Sequence, residues 1–219
     1  VTALVLAAAA WGALAMHFLL RFPAAVVRGL IAAWLALALA AAWRAWRPRG
    51  PLWPLAAWGL VFLGMQLAYW SMPPRQDRDW ADDVARRLRP EVHGSRVILH
   101  DVRDLDWRSD TDYTARWDTR EYDLDHLASA DLALSYWMGP AIAHTLVSFG
   151  FDDGSHVVFS LEIRKERGES FSALGGFFRK FEMTLVAAEE TDIIRTRTNA
   201  RGEDVYLYRL HGMDRAQLK

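Results

Sequence analysis

The sequence predicts an α+β protein: three membrane helices followed by a mainly antiparallel sheet domain. Charge distribution is the first reason. Residues 1–72 hold five Arg, no Lys and no acidic residue, together with seven of the eleven Trp. The rest of the chain carries 21 basic and 27 acidic residues, a net of −6. A near-neutral total therefore joins an apolar segment to an acidic soluble part of about one-domain size. The second reason is a set of short, alternating, β-branched and aromatic runs, the clearest of them at residues 141–165. These place a membrane domain at residues 1–72, a polar linker at 73–78 and a soluble domain at 79–219.

The helices come first. Residues 1–20 carry no formal charge and are long enough to cross a bilayer. Arg21, Phe22 and Pro23 interrupt the run. A second helix is expected at about 24–43, with Arg28 snorkelling to the interface. The third is expected at 52–72, broken only by Pro54 and Gln66. Trp43, Trp46, Trp53, Tyr69 and Trp70 fall near helix ends, where aromatic rings anchor at headgroups. A cleaved signal peptide would need a basic leading region, which residues 1–20 lack. Arg44, Arg47 and Arg49 should hold their connection in the cytoplasm. The N-terminus is then cytoplasmic and the soluble domain lies across the membrane. In a Gram-negative bacterium that means the inner membrane and the periplasm.

The soluble elements follow in order. Residues 79–88 read as a short helix opening on Asp79, with acids first and Arg86 and Arg87 last. Strands are expected at 96–100 and 117–124. Between them Asp101, Asp104, Asp106, Asp110 and Asp112 lack the spacing, Gly and closing Glu of a calcium loop, and read as solvated. Residues 131–137 form an apolar strand leading into the hairpin. A loop and short helix at 168–181 carry Phe171, Phe177 and Phe178. Strands are expected at 182–187 and 204–210, an extended segment at 193–199, and a helix from Asp214. A helix cut in its second turn is marginal, so the natural protein is expected to continue.

The hairpin has a register that the letters define. Asp152-Asp153-Gly154 is a three-residue connection with Gly where a positive φ is required. Closing it there puts Phe149 opposite Val157, Val147 opposite Phe159, and His144 opposite Glu162. One face is mostly apolar and should pack on the core; the other carries His144, Ser148, Ser160 and Glu162. A one-residue slip would oppose apolar to polar faces. The register thus aligns an imidazole with a carboxylate, the base and its orienting group of a nucleophilic site. It is equally the pattern of a solvated polar face. If it is a site, His144→Ala and Glu162→Gln should leave thermal stability nearly unchanged.

Other chemistries find less support. There is no Cys, so neither disulfides nor thiolate metal sites arise within these residues. His144 and His156 fall at opposite ends of the hairpin, and no HExxH occurs, so no metal site and no cofactor is expected. No basic patch points to nucleic acid. Ser135, Ser148 and Ser160 lie in no nucleophile elbow. Arg164 and Lys165, at the end of a strand, are candidate contacts to lipid headgroups.

Several short motifs together resemble a known family. They are Asp77-Arg78-Asp79-Trp80, Ser135-Tyr136-Trp137, Pro140-Ala141-Ile142-Ala143-His144-Thr145, Ser160-Leu161-Glu162-Ile163-Arg164-Lys165-Glu166, Gly168-Glu169-Ser170 and Asp204-Val205-Tyr206-Leu207-Tyr208-Arg209. This set is similar to the N-terminal periplasmic domain of the Lnb family of bacterial lipoprotein N-acyltransferases. The resemblance implies a papain-like, permuted fold in which His precedes the nucleophile. It implies acyl transfer from a phospholipid, through a thioester, to the α-amine of a lipoprotein. His144 matches the family histidine. Glu162 is the candidate third member, from the hairpin register, and Tyr136, Trp137, Arg164 and Lys165 are candidate substrate contacts. Partners would be membrane lipid and lipoproteins. Family members carry an Asn-Cys motif that these residues lack, which is expected beyond residue 219 unless the protein is an inactive relative. Two alternatives stand beside acyl transfer: an envelope thiol hydrolase of the same fold, and a non-catalytic envelope scaffold.

Overall fold

The computed structural model describes residues 1–47 and 49–211. The helix expected from Asp214 lies outside them. The chain divides into two compact units, Val1–Asp77 with Ser170–Glu182, and Arg78–Glu169 with Met183–Lys219. The soluble sequence from residue 79 is therefore not one unit, because its excursion Ser170–Glu182 groups with the helices.

In the first unit, α1 spans Thr2–Leu19, α2 Ala24–Trp46 and α3 Trp53–Trp70. Among the described residues, α1 and α2 are long and apolar enough to cross a membrane. Pro54, Gln66 and the polar-edged rings of Trp53, Trp58, Tyr69 and Trp70 make α3 less apolar. Small residues let the backbones approach: Val5 and Ala9 of α1 pack with Ala38, Ala41 and Ala42 of α2, against Leu55 and Trp58 of α3. Early α1, late α2 and early α3 thus meet, so α2 runs antiparallel to its neighbours. Trp34 lies across the bundle, donating Nε1–H to the Ala9 carbonyl at 2.9 Å. A Cβ on Gly12 would stand 2.6 Å from Trp34 Nε1 and 2.8 Å from Trp34 Cε2. Gly12→Ala is accordingly expected to destabilise the bundle by about 1–3 kcal/mol. A thermal melt in detergent checks it; an unchanged midpoint would contradict this packing. Arg44 turns inward, donating to the carbonyls of Arg47, Gly50 and Pro51 and closing the turn after α2.

The excursion of this unit contains α4, Ala173–Phe177, capped by Ser172 Oγ accepting from Gly175 N–H at 3.0 Å. It ends in a Schellman pair: Lys180 N–H to Gly175 O at 2.9 Å and Arg179 N–H to Gly176 O at 3.0 Å. Arg179 takes the left-handed position, φ 56°, that Gly usually fills. Its guanidinium accounts for the choice. It donates to the Tyr69 carbonyl at 3.0 Å, at the C-terminal end of α3, and stacks over the rings of Tyr69 and Trp70.

In the second unit, eight strands form one sheet among the described residues: β1 Arg89–His93, β2 Arg96–Arg103, β5 Trp117–Asp123, β6 Leu127–Tyr136, β7 Ala143–Phe151, β8 His156–Arg164, β9 Glu182–Ala188 and β10 Asp204–Arg209. Only Met183 onward of β9 falls in this unit. The order is β1-β2-β9-β8-β7-β6-β10, with β5 also on β2. Most pairings are antiparallel; β2 and β9 meet in parallel at Arg103 and Ala188. A two-stranded ribbon, β3 Asp106–Trp107 with β4 Tyr113–Thr114, takes up part of the acidic loop. Asp101 lies within β2 at φ 61°, where the β2–β5 register shifts.

Two expected elements differ. Residues 79–88 hold only a 3₁₀ turn, Asp82–Val84. Trp80 forms a bridge with Glu166, and Ala81 N–H bonds the Lys165 carbonyl, so the backbone is already committed to the end of β8. Residues 193–199 are not extended: α5 spans Glu190–Arg195 and a π turn follows at Thr196–Ala200. Ile and Thr in this stretch favour strands. Acids in the first turn and Arg in the last favour the helix that forms.

Candidate functional site

The hairpin register is as the sequence indicates. Val147 faces Phe159, Phe149 faces Val157, and Leu146 faces Ser160. Phe151 and Ser155 close the turn with a 2.9 Å bond, and Gly154 takes φ 85°. The environment of the faces differs from expectation. Phe151 and Val157 of the apolar face join a core with Leu99, Val102, Tyr122, Leu127 and Ala187. The face of His144 is not solvated, since Leu146, Ser148, Val158 and Ser160 on it are fully buried. Leu146 and Val158 pack with Ala133, Val186, Ala188 and Ile193 of α5. Ser148 Oγ donates to Glu190 Oε1 at 2.6 Å, which satisfies its hydroxyl beneath that helix.

His144 and Glu162 come together on this face, with Ser160 between them. His144 Nε2 lies 2.7 Å from Ser160 Oγ and 3.4 Å from Glu162 Oε1. Ser160 Oγ donates to Glu162 Oε1 at 2.7 Å. With its proton given to the carboxylate, Ser160 Oγ accepts from His144, so the imidazole carries its proton on Nε2. Among the described residues Nδ1 of His144 has no hydrogen-bond partner, and the side chain is 25% exposed. The ring is fixed through Nε2 and remains partly exposed.

Glu162 is held in turn by Arg197, whose Nη2 donates to Glu162 Oε1 at 2.9 Å and whose Nη1 donates to Glu203 Oε2 at 3.3 Å. Ser135, directly opposite His144 on β6, donates to the same oxygen of Glu203. Burial opposes ionisation of Glu162. The hydrogen bond from His144 and the positive charge of Arg197 outweigh it, and the carboxyl is held well below the usual carboxylate range. The sign of the pH dependence follows. A depressed folded pKa contributes stability above the unfolded value of about 4.3, and that contribution is lost as pH falls below it. Thermal midpoints measured between about pH 6 and 3 should therefore fall less steeply in Glu162→Gln than in the parent chain. Parallel profiles would contradict the charged state assigned to Glu162.

Arg197 and Glu203 were not anticipated as site residues. Treating 193–199 as extended hid Arg197, because only the turn after α5 carries it to Glu162. Because this carboxylate partners a buried guanidinium, Glu162→Gln is now expected to lower stability.

The candidate substrate contacts do not share the His144 site. Ser135 pairs with His144 across β6 and β7, so Tyr136 points to the opposite face. With Trp137, Gly139, Pro140, Asp204, Tyr206 and Tyr208 it lines an open cleft of about 550 Å³. Arg164, 4% exposed, donates to the carbonyls of Val84 and Ala85 and stacks over Trp80. It is an internal tie and not a headgroup contact. Lys165 pairs with Asp83 at 3.4 Å. No group of His, Asp or Glu among the described residues is arranged to hold a metal ion.

Residues 113–219 match the family model of the Lnb N-terminal periplasmic domain. Over those residues the chain is similar to the Lnb N-terminal periplasmic domain. No curated protein and no solved structure matches it. The matched stretch starts at β4 and takes in the hairpin, α5 and β10, so His144, Glu162, Arg197 and Glu203 all fall inside it. Its sheet is joined in sequence to two helices apolar enough to span a membrane, which fits a membrane-anchored periplasmic protein.

Proposed function

We propose that this Lnb-type domain supplies the acid–base half of a cysteine-type acyltransferase that uses phospholipid acyl chains. The observation that carries the proposal is the His144–Ser160–Glu162–Arg197 chain, which presents an unengaged Nδ1 on an anchored imidazole. In that arrangement Nδ1 takes the proton of a thiol, Glu162 stabilises the imidazolium that results, and the proton returns to the departing group. The thiol attacks an acyl ester to give a thioester, and an amine then takes the acyl group. These residues contain no Cys, so the thiol comes from outside them. The likeness to the Lnb family makes an Asn-Cys segment the expected source and a lipoprotein α-amine the expected acceptor.

The same proposal takes α3 as a third span, puts the N-terminus in the cytoplasm of an inner-membrane protein and the sheet in the periplasm. The Arg44, Arg47 and Arg49 cluster supports that orientation. Alkaline phosphatase fused after Arg75 should be active and after Arg49 silent; the reverse pattern would overturn the localisation. For the chemistry, the protein translated from the whole reading frame is incubated with phospholipid bearing a labelled acyl chain and an amine acceptor. Label passing to the amine supports acyl transfer. Release of label only to water would favour a hydrolase, and no turnover a scaffold.

A further inference from the structure

The excursion Ser170–Glu182 presents two opposite faces. One packs inside the helical unit: Phe178 is buried, stacks on Phe18 of α1 at 5.8 Å and meets Trp11 at 5.9 Å. Tyr69 Oη donates to the Phe177 carbonyl at 3.2 Å, while Arg179 returns a bond to the Tyr69 carbonyl. Each helix end thus satisfies a carbonyl of the other. The other face is apolar and open. Phe171, Leu174 and Phe177 recur every third residue and are 49%, 58% and 67% exposed. Leu174 and Phe177 lie three apart on α4 and Phe171 lies ahead of its cap; a soluble surface seldom gathers so much exposed apolar area in one short element.

The position of this stripe identifies its partner. It sits beside the ends of α1 and α3, where Phe178 stacks on Phe18 and Tyr69 bonds the Phe177 carbonyl. Arg179 sits with Tyr69 and Trp70, the residue types that gather at headgroup depth. A short element with an apolar stripe, a basic end and a fixed seat on helix ends has the features of an interfacial anchor.

We propose that Ser170–Glu182 is a membrane-interface element, with Phe171, Leu174 and Phe177 entering the acyl region and Arg179 at headgroup level. The inference rests on the reading that the helices lie in a bilayer. Its occupant is membrane lipid. It also moves the lipid-facing cation from Arg164 to Arg179. Within the 219 residues no Cys competes with an introduced thiol, and any Cys outside them is replaced by Ser before labelling.

The test uses Phe177→Cys and, separately, Leu39→Cys on the exposed flank of α2, each labelled with bimane in proteoliposomes of phosphatidylethanolamine and phosphatidylglycerol. A water-soluble bimane adduct in buffer is the aqueous reference. Expected for Phe177→Cys is a blue-shifted emission, strong quenching by lipid carrying a nitroxide high on the acyl chain, and weak quenching by iodide. Quenching at Leu39→Cys with a fully aqueous signal at Phe177→Cys would overturn this inference alone. Shielding of Phe177→Cys from both quenchers would mean that protein covers the stripe, and also overturns it. An aqueous signal at both positions would overturn the bilayer reading and this inference together.

Discussion

Asp192→Ala should destabilise the sheet unit by several kcal/mol, the largest loss expected from any one substitution. Asp192 is fully buried and accepts from four donors: Arg103 Nε at 2.8 Å, Arg103 Nη2 at 3.1 Å, the Leu105 amide at 3.0 Å and Trp107 Nε1 at 2.6 Å. Without it, the buried Arg103 guanidinium keeps, among the described residues, only the Asp83 carbonyl, at 3.1 Å from Nη1. Breaking a buried pair from one side costs about 3–5 kcal/mol, and each orphaned N–H adds about 1–3 kcal/mol. Natural domains have only about 5–15 kcal/mol in total. Most of the sheet unit should therefore unfold at ambient temperature, taking α5 and the Arg197 turn with it. The double substitution Asp192→Leu with Arg103→Met removes both charges and should cost less than Asp192→Ala alone. Denaturant melts of the three chains measure this. A single variant as stable as the parent would contradict the buried pair.

His144→Ala should lower acyl transfer by about 10²–10⁴-fold, the range that a positioned general base supplies. Its effect on stability should be small, because the ring is partly open and Ser160 retains its bond to Glu162. Glu162→Gln should act on both quantities. It keeps a group that can accept from Ser160, and it removes the charge that faces His144 and Arg197. Turnover should fall less than in His144→Ala, and the melting temperature should fall more, tempered by the second partner of Arg197, Glu203. Activity and melting measured on the same preparations separate the two roles. Equal loss of stability in both variants would make His144 a packing residue.

The hairpin was legible because its turn residues and its alternation constrain each other. Gly154 supplies the positive φ, Asp152 and Asp153 complete the loop, and the register they define brings His144 to Glu162 without tertiary information. The helices were legible for a similar reason, since their runs of apolar residues have few competing interpretations. What failed needed knowledge of distant chain. Trp80 bridges Glu166, some eighty residues away, and that contact displaces the helix expected at 79–88. Arg197 reaches Glu162 only because Ile193 packs into the sheet core and turns the β-branched stretch into α5. Arg164 looked like a surface cation at a strand end, yet Trp80 and the Val84 and Ala85 carbonyls enclose it. Alternation identified Ser160 as a neighbour of the site but could not show that its hydroxyl lies between base and acid.

In the proposed function, His144, anchored through Ser160 and Glu162, serves a thiol that carries an acyl group. Intact-mass analysis of the protein from the whole reading frame, after incubation with phospholipid and without acceptor, tests it most directly. One added acyl chain, removable by neutral hydroxylamine, is expected on a Cys in the parent protein and none in a folded His144→Ala variant. Equal acylation of both proteins, or acyl chain on a residue other than Cys, would contradict it.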